Sequence, residues 1–167
     1  IAWLALTHRN GSQRLAGIRV YGGDCTGLNQ DNEPLWRYPL GDELAGAHYG
    51  SINPVVADID GDGRNEGLIM AGTERTDRFS PYTLLCLEET GQSRWSFTPG
   101  ALAIEADGTP YNENWIAAFF LKDLDGDAIP EIIVLGNHYL YWPTMVAVLG
   151  PDGKARGRYI HTGRFAG

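Results

Sequence analysis

At 167 residues, with an apolar fraction of 43% and an aromatic fraction of 11%, the chain is long and apolar enough to bury a core. Its formal charge of −8 excludes a basic nucleic-acid-binding surface, and no run of about 18 apolar residues offers a membrane span. The 22 glycines and 9 prolines suit short strands and turns.

In chain order the pattern is that of strands. The chain opens without an initiator Met or a signal peptide, and it looks like a processed piece of something longer. Ala2 to Leu6 reads as an opening strand, His8 to Gln13 as a polar turn, and Leu15 to Tyr21 as a strand. The turn holds the sequon Asn10-Gly11-Ser12, which matters only if a eukaryote secretes the protein. Gly22 to Glu33 reads as a turn-rich connection, and Leu35 to Tyr38 alternates like a half-buried strand. Gly41 to Gly50 has room for one short helical turn. Ser51 to Ala57 and Gly67 to Ala71 are expected to pair across an acidic loop. Thr73 to Pro81 is a polar connection, and Tyr82 to Leu87 pairs with Ser93 to Phe97 through the turn Glu88 to Gln92. The order then recurs. Trp115 to Leu121, an acidic loop, Glu131 to Leu135, a connection at Asn137 to Thr144, Met145 to Leu149, a turn at Pro151 to Lys154 and Arg158 to Ile160 follow in turn.

The two acidic loops carry the chemistry. Residues 58–66 read Asp-Ile-Asp-Gly-Asp-Gly-Arg-Asn-Glu, and residues 123–131 read Asp-Leu-Asp-Gly-Asp-Ala-Ile-Pro-Glu. Both place acids at positions 1, 3, 5 and 9, and together they hold 8 of the 21 acidic residues. Carboxylates this close repel one another unless a cation neutralises them, and a hard divalent ion with oxygen ligands is the simplest remedy. Two such ions would halve the net charge. An EF-hand would need a Glu at position 12 and helical flanks. Position 12 is Ile69 or Val134, between strand-like runs. Without metal the loops would be ordinary acidic hairpin turns.

A recurring unit of strand, acidic loop, strand, connection, strand, Gly turn and strand is the form of a four-stranded propeller blade. The motifs Asp-x-Asp-Gly-Asp-Gly-x-x-Glu and Asp-x-Asp-Gly-Asp-x-x-x-Glu resemble the FG-GAP/VCBS calcium-loop repeats of integrin-type β-propellers, over residues 51–163. Leu85 to Phe97 also looks like the outer strand pair of PQQ-type propeller repeats. The resemblance implies an all-β fold of about two and a half blades: an incomplete first blade over 1–50, a second over 51–100 and a third over 101–167. It implies two Ca²⁺ ions. One would be held by Asp58, Asp60, Asp62, the Arg64 carbonyl and Glu66, the other by Asp123, Asp125, Asp127, the Ile129 carbonyl and Glu131. Ala128 at position 6 and Pro130 before the last ligand depart from the family pattern, and the Phe-Gly and Gly-Ala-Pro signatures are missing.

Trp36 and Trp95 occupy matching outer-strand places and are expected between neighbouring units, with Trp3 and Trp115 in the core. Tyr139, Tyr141 and Trp142 crowd one connection, which is the best candidate for an exposed recognition loop, with core packing as the other and slightly favoured reading. Glu74 to Phe79 reads as solvated, and Glu105 and Asp107 as a surface pair. His8, His48, His138 and His161 show no metal-ligand spacing or triad grouping. Cys25 and Cys86 are either two small buried residues or a disulfide.

The expectation is a non-catalytic, calcium-binding module that is extracellular, periplasmic or on the cell surface, with structural calcium and a protein or glycan ligand in adhesion. Weak calcium sites, on the order of 10⁻⁴–10⁻³ M, suit that location. The alternative is the propeller part of an extracellular enzyme, such as a polysaccharide lyase or quinoprotein dehydrogenase; a passive spacer is a third reading. Propellers close with about four to eight blades, so open blade edges here invite self-association.

Overall fold

The computed structural model describes residues 13–21, 23–40, 54–71, 74–75, 78–79, 83–99, 114–138 and 144–161. Among the described residues there is no helix, and therefore none long and apolar enough to cross a membrane. The first sheet has three antiparallel strands, β1 (Gly17–Tyr21), β2 (Asp24–Leu28) and β3 (Pro34–Pro39). The second has four, in the order β4 (Val55–Ala57), β5 (Glu66–Ala71), β8 (Thr83–Leu87) and β9 (Ser93–Phe97). The third is the meander β10 (Asn114–Lys122), β11 (Glu131–His138), β12 (Thr144–Leu149) and β13 (Ala155–His161). A two-residue pair, β6 (Glu74–Arg75) and β7 (Arg78–Phe79), forms a separate ribbon.

The expected connection over Gly22 to Glu33 contains a strand instead. Asp24 and Gly27 give β2 little strand propensity, but β1 and β3 pair with it on both sides and Cys25 becomes fully buried. The polar connection at Thr73 to Pro81 likewise holds the β6–β7 ribbon. β11 runs on through Asn137 and His138, because Asn137 pairs with Thr144 of β12 and is buried there. The expected strand at Ala2 to Leu6 and helical turn at Gly41 to Gly50 lie outside the described residues, as do Glu105 and Asp107.

Side chains on a strand alternate between faces, and the second sheet uses both faces. Ile69, Ala71, Leu85 and Leu87 pack with Cys25 and Leu40, and with Ile18, Val20, Trp36 and Tyr38 of the first sheet. Leu68, Leu84 and Cys86 form a second cluster with Ile116, Phe119, Ile132, Val134, Met145, Ala147 and Leu149 of the third sheet. The second sheet is thus sandwiched, which explains the near-continuous burial of β5 and β8. Cys25 and Cys86 are buried and free.

The two end faces differ in chemistry. On the outer face of the first sheet Arg19, Thr26 and Arg37 lie in one register row, and Arg37 pairs with Asp24. On the third sheet Phe120 and Tyr159 are exposed, and β13 is exposed along its whole length.

Identical turns close the outer hairpins. In each, one amide bonds a carbonyl four residues on and a second bonds back over three. The turns begin at Asn29, Glu88 and Gly150. Their fourth residues, Asn32, Gly91 and Gly153, all have positive φ. Two tryptophans dock on these turns. Trp36 donates its indole N–H to the Glu89 carbonyl at 2.8 Å, and Trp95 donates to the Pro151 carbonyl at 2.8 Å. Both therefore lie between neighbouring sheets, as their matching sequence positions suggest.

Candidate metal centre

Each acidic loop springs from a strand pair whose register fixes its ends. Ala57 pairs with Glu66 across β4 and β5, and Lys122 pairs with Glu131 across β10 and β11. The ninth residue of each loop is thus already in a strand, where its carboxylate is held from below. The loop backbone is curled by the acids' own side chains. Asp58 accepts from the amides of Gly61 at 2.7 Å and Gly63 at 2.9 Å. Asp60 accepts from Asp62 at 3.2 Å, and Asp62 from Arg64 at 2.8 Å. Glu66 reaches back to accept from Ile59 at 3.1 Å.

The second loop has the same bonds at the same positions. Asp123 accepts from Gly126 at 2.6 Å and Ala128 at 3.0 Å. Asp125 accepts from Asp127 at 3.2 Å, Asp127 from Ile129 at 2.8 Å and Glu131 from Leu124 at 2.9 Å. Ala128 takes the left-handed conformation, φ 70°, that Gly63 takes with φ 83°. The substitution at position 6 leaves the loop shape intact, at the steric cost a Cβ carries in that region. Pro130 cannot make the bond of its counterpart Asn65, whose side chain donates to the Leu15 carbonyl at 2.7 Å, but the bonds that curl the loop do not use that position.

This curl converges the carboxylates. In Asp58, Asp60 and Asp62, one ligand oxygen from each lies within 4.8 Å of the others, and the same holds for Asp123, Asp125 and Asp127. Two oxygens on one Ca²⁺ at 2.3–2.6 Å can be no more than about 5 Å apart, so the spacing fits. Glu66 adds a sharper sign. It is buried, and its Oε1 has no hydrogen-bond partner. Burial pushes its carboxyl up to about 7, against the Ile59 amide bond and Arg94, which favour the charged form. A buried carboxylate oxygen without a hydrogen-bond donor fits a cation-binding role, and an all-oxygen donor set suits a hard ion.

Two contacts of the site were not legible in the sequence. Arg94 on β9 contacts Asp60 Oδ2 at 2.6 Å, Glu66 Oε1 at 3.8 Å and Glu88 Oε1 at 3.6 Å. Its hydrogen bond holds the Asp60 carboxyl below the ordinary aspartate range. Arg156 on β13 contacts Glu131 Oε1 at 3.2 Å. Both arginines stand three residues after the positive-φ glycine of their turn, and that common spacing was the available signal. The second contact is that of Ile129, whose Cδ1 would lie 3.2 Å from a Cβ on Gly61, so the two loops touch. Arg64 is exposed.

The EF-hand alternative is excluded by structure as well as sequence, since Ile69 and Val134 are buried strand residues. Tyr139, Tyr141 and Trp142 lie outside the described residues, as do His8, His48 and Trp3. His161 is exposed, and the backbones of Trp115 and His138 lie in β10 and β11. No protein-family model and no curated protein sequence matches the chain.

Proposed function

We propose that this chain is a non-catalytic array of FG-GAP/VCBS-like, propeller-type repeats, clasped by structural Ca²⁺ and displaying a binding face for protein or glycan outside the cell. The observation that carries the reading is the bond-for-bond identity of two loops 65 residues apart, each gathering three aspartates within 4.8 Å. Asp58, Asp60, Asp62 and Glu66 would hold one ion, and Asp123, Asp125, Asp127 and Glu131 the other, with the Arg64 and Ile129 carbonyls completing the sets. The ion supplies charge neutralisation and a rigid tie between two strands; it takes part in no reaction.

The propeller reading draws support from the sheet faces. Ile59, at position 2 of the first loop, is fully buried against the third sheet, whereas its counterpart Leu124 is 56% exposed. Phe120 and Tyr159 lie on that same uncovered side. The third sheet thus presents the apolar positions through which the second sheet makes its contact, as an array continued by a further sheet would require. The test is calorimetric titration of the metal-free chain with CaCl₂ and with MgCl₂. The expected result is two Ca²⁺ per chain, with dissociation constants on the order of 10⁻⁴–10⁻³ M and weaker Mg²⁺ binding. Saturable binding of neither ion would overturn the reading.

A further inference from the structure

The two loops match in their own bonds but not in the cation that faces them. Arg94 lies among three carboxylates, Asp60 at 2.6 Å, Glu88 at 3.6 Å and Glu66 at 3.8 Å. Its side chain is 25% exposed, and that of Asp60 is 20% exposed. In the second loop Arg156 stands at the same place relative to its turn, but among the described residues it pairs with Glu131 alone, and its side chain is 55% exposed. The difference has a local cause. Glu88 opens the first turn, and the corresponding residue of the second is Gly150. Arg156 settles over that glycine, where an added Cβ would lie 2.6 Å from its Nε. Glu88 instead stands 3.6 Å from Arg94 Nε, so three carboxylates surround the guanidinium. Asp60 therefore spends Oδ1 on the Asp62 amide and Oδ2 on Arg94. Asp125 spends Oδ1 on the Asp127 amide and meets no arginine among the described residues.

Resting on the calcium reading above, we propose that Arg94 is a tethered competitor cation, which makes the first loop the weaker of the two Ca²⁺ sites. A guanidinium hydrogen-bonded to a would-be ligand withdraws donor strength from it and repels a divalent ion nearby. The sequence alone ranks the loops the other way, because Ala128 and Pro130 mark the second as the departure from pattern. Arg94 reverses that order.

The experiment is calorimetric CaCl₂ titration of the full chain with one loop silenced at a time. Asp123→Asn leaves the first loop and Asp58→Asn leaves the second. The first loop should bind about tenfold more weakly than the second. Adding Arg94→Gln to Asp123→Asn should close most of that gap, and Arg94→Met, which keeps the apolar stem, should act in the same direction. Arg156→Gln in the Asp58→Asn background should change binding by less than Arg94→Gln does in the other. Circular dichroism in EGTA checks that each variant is folded. Equal affinities of the two loops, or weaker binding after both Arg94 substitutions, would overturn the proposal while leaving the calcium reading intact. Saturable binding at neither loop would overturn that reading, and this proposal with it.

Discussion

The ring of Trp95 lies directly on the backbone of Gly153, where a Cβ would stand 2.5 Å from its Cδ2. The relationship recurs one sheet earlier, where a Cβ on Gly91 would stand 2.6 Å from Trp36 Cδ2. In each pair an outer strand of one sheet reaches the turn of the next, and the indole N–H finds a carbonyl two residues before the glycine. Both glycines also hold positive φ, 82° at Gly91 and 74° at Gly153. Gly153→Ala therefore meets two penalties, a clash with a packed ring and a left-handed backbone. It should lower unfolding free energy by about 2–4 kcal/mol, as should Gly91→Ala. Trp95→Phe removes the donor but keeps much of the apolar contact, so it should cost about 1–2 kcal/mol. Urea unfolding followed by circular dichroism measures all three.

Ala128 is the one loop residue whose replacement by glycine should stabilise. Its φ of 70° costs an L-residue about 1–2 kcal/mol, and the extra freedom of glycine in the unfolded chain returns about 0.5–1 kcal/mol of that. Ala128→Gly should thus raise stability by about 0.5–1 kcal/mol, read as a shifted urea midpoint with an unchanged slope.

The thiols of Cys25 and Cys86 are each pushed up to about 12 by burial. At pH 8 neither should react with a disulfide reagent in the native chain, whereas both should react in denaturant. The sign for stability follows from linkage. A thiol harder to ionise in the fold than in the unfolded chain, where its value is 9.0, leaves stability unaffected well below pH 9. It removes stability as pH rises from about 9 towards 12, because the unfolded state alone sheds the protons. Native thiol labelling followed across that range should rise only as the fold opens.

Much of the candidate site was legible because it is local. The aspartates, the curling of the backbone around them and the strand flanks lie within nine consecutive residues, so spacing alone implied their convergence. The strands with plain apolar runs, such as Met145 to Leu149, were equally plain. β2 was not, since Asp24 and Gly27 weaken the strand signal of so short a segment and only pairing with two neighbours makes it one. Arg94 was hidden for a different reason. It lies 34 residues from Asp60, and only the β5–β8–β9 register brings it there. The contact of Ile129 with Gly61 depends on how two sheets stack, which no local pattern encodes.

If calcium clasps both loops, it must raise the temperature at which the chain unfolds. Melting should be followed in EGTA and in CaCl₂ at several millimolar, for the native chain and for Asp60→Asn combined with Asp125→Asn. A site whose dissociation constant lies about tenfold below the calcium concentration should add about 1.4 kcal/mol, and a weaker site less. The native chain should therefore melt several degrees higher in calcium, and the double variant should lose that increment. An identical melting temperature with and without calcium, and no effect of the double substitution on the difference, would rule out calcium as the clasp of these loops.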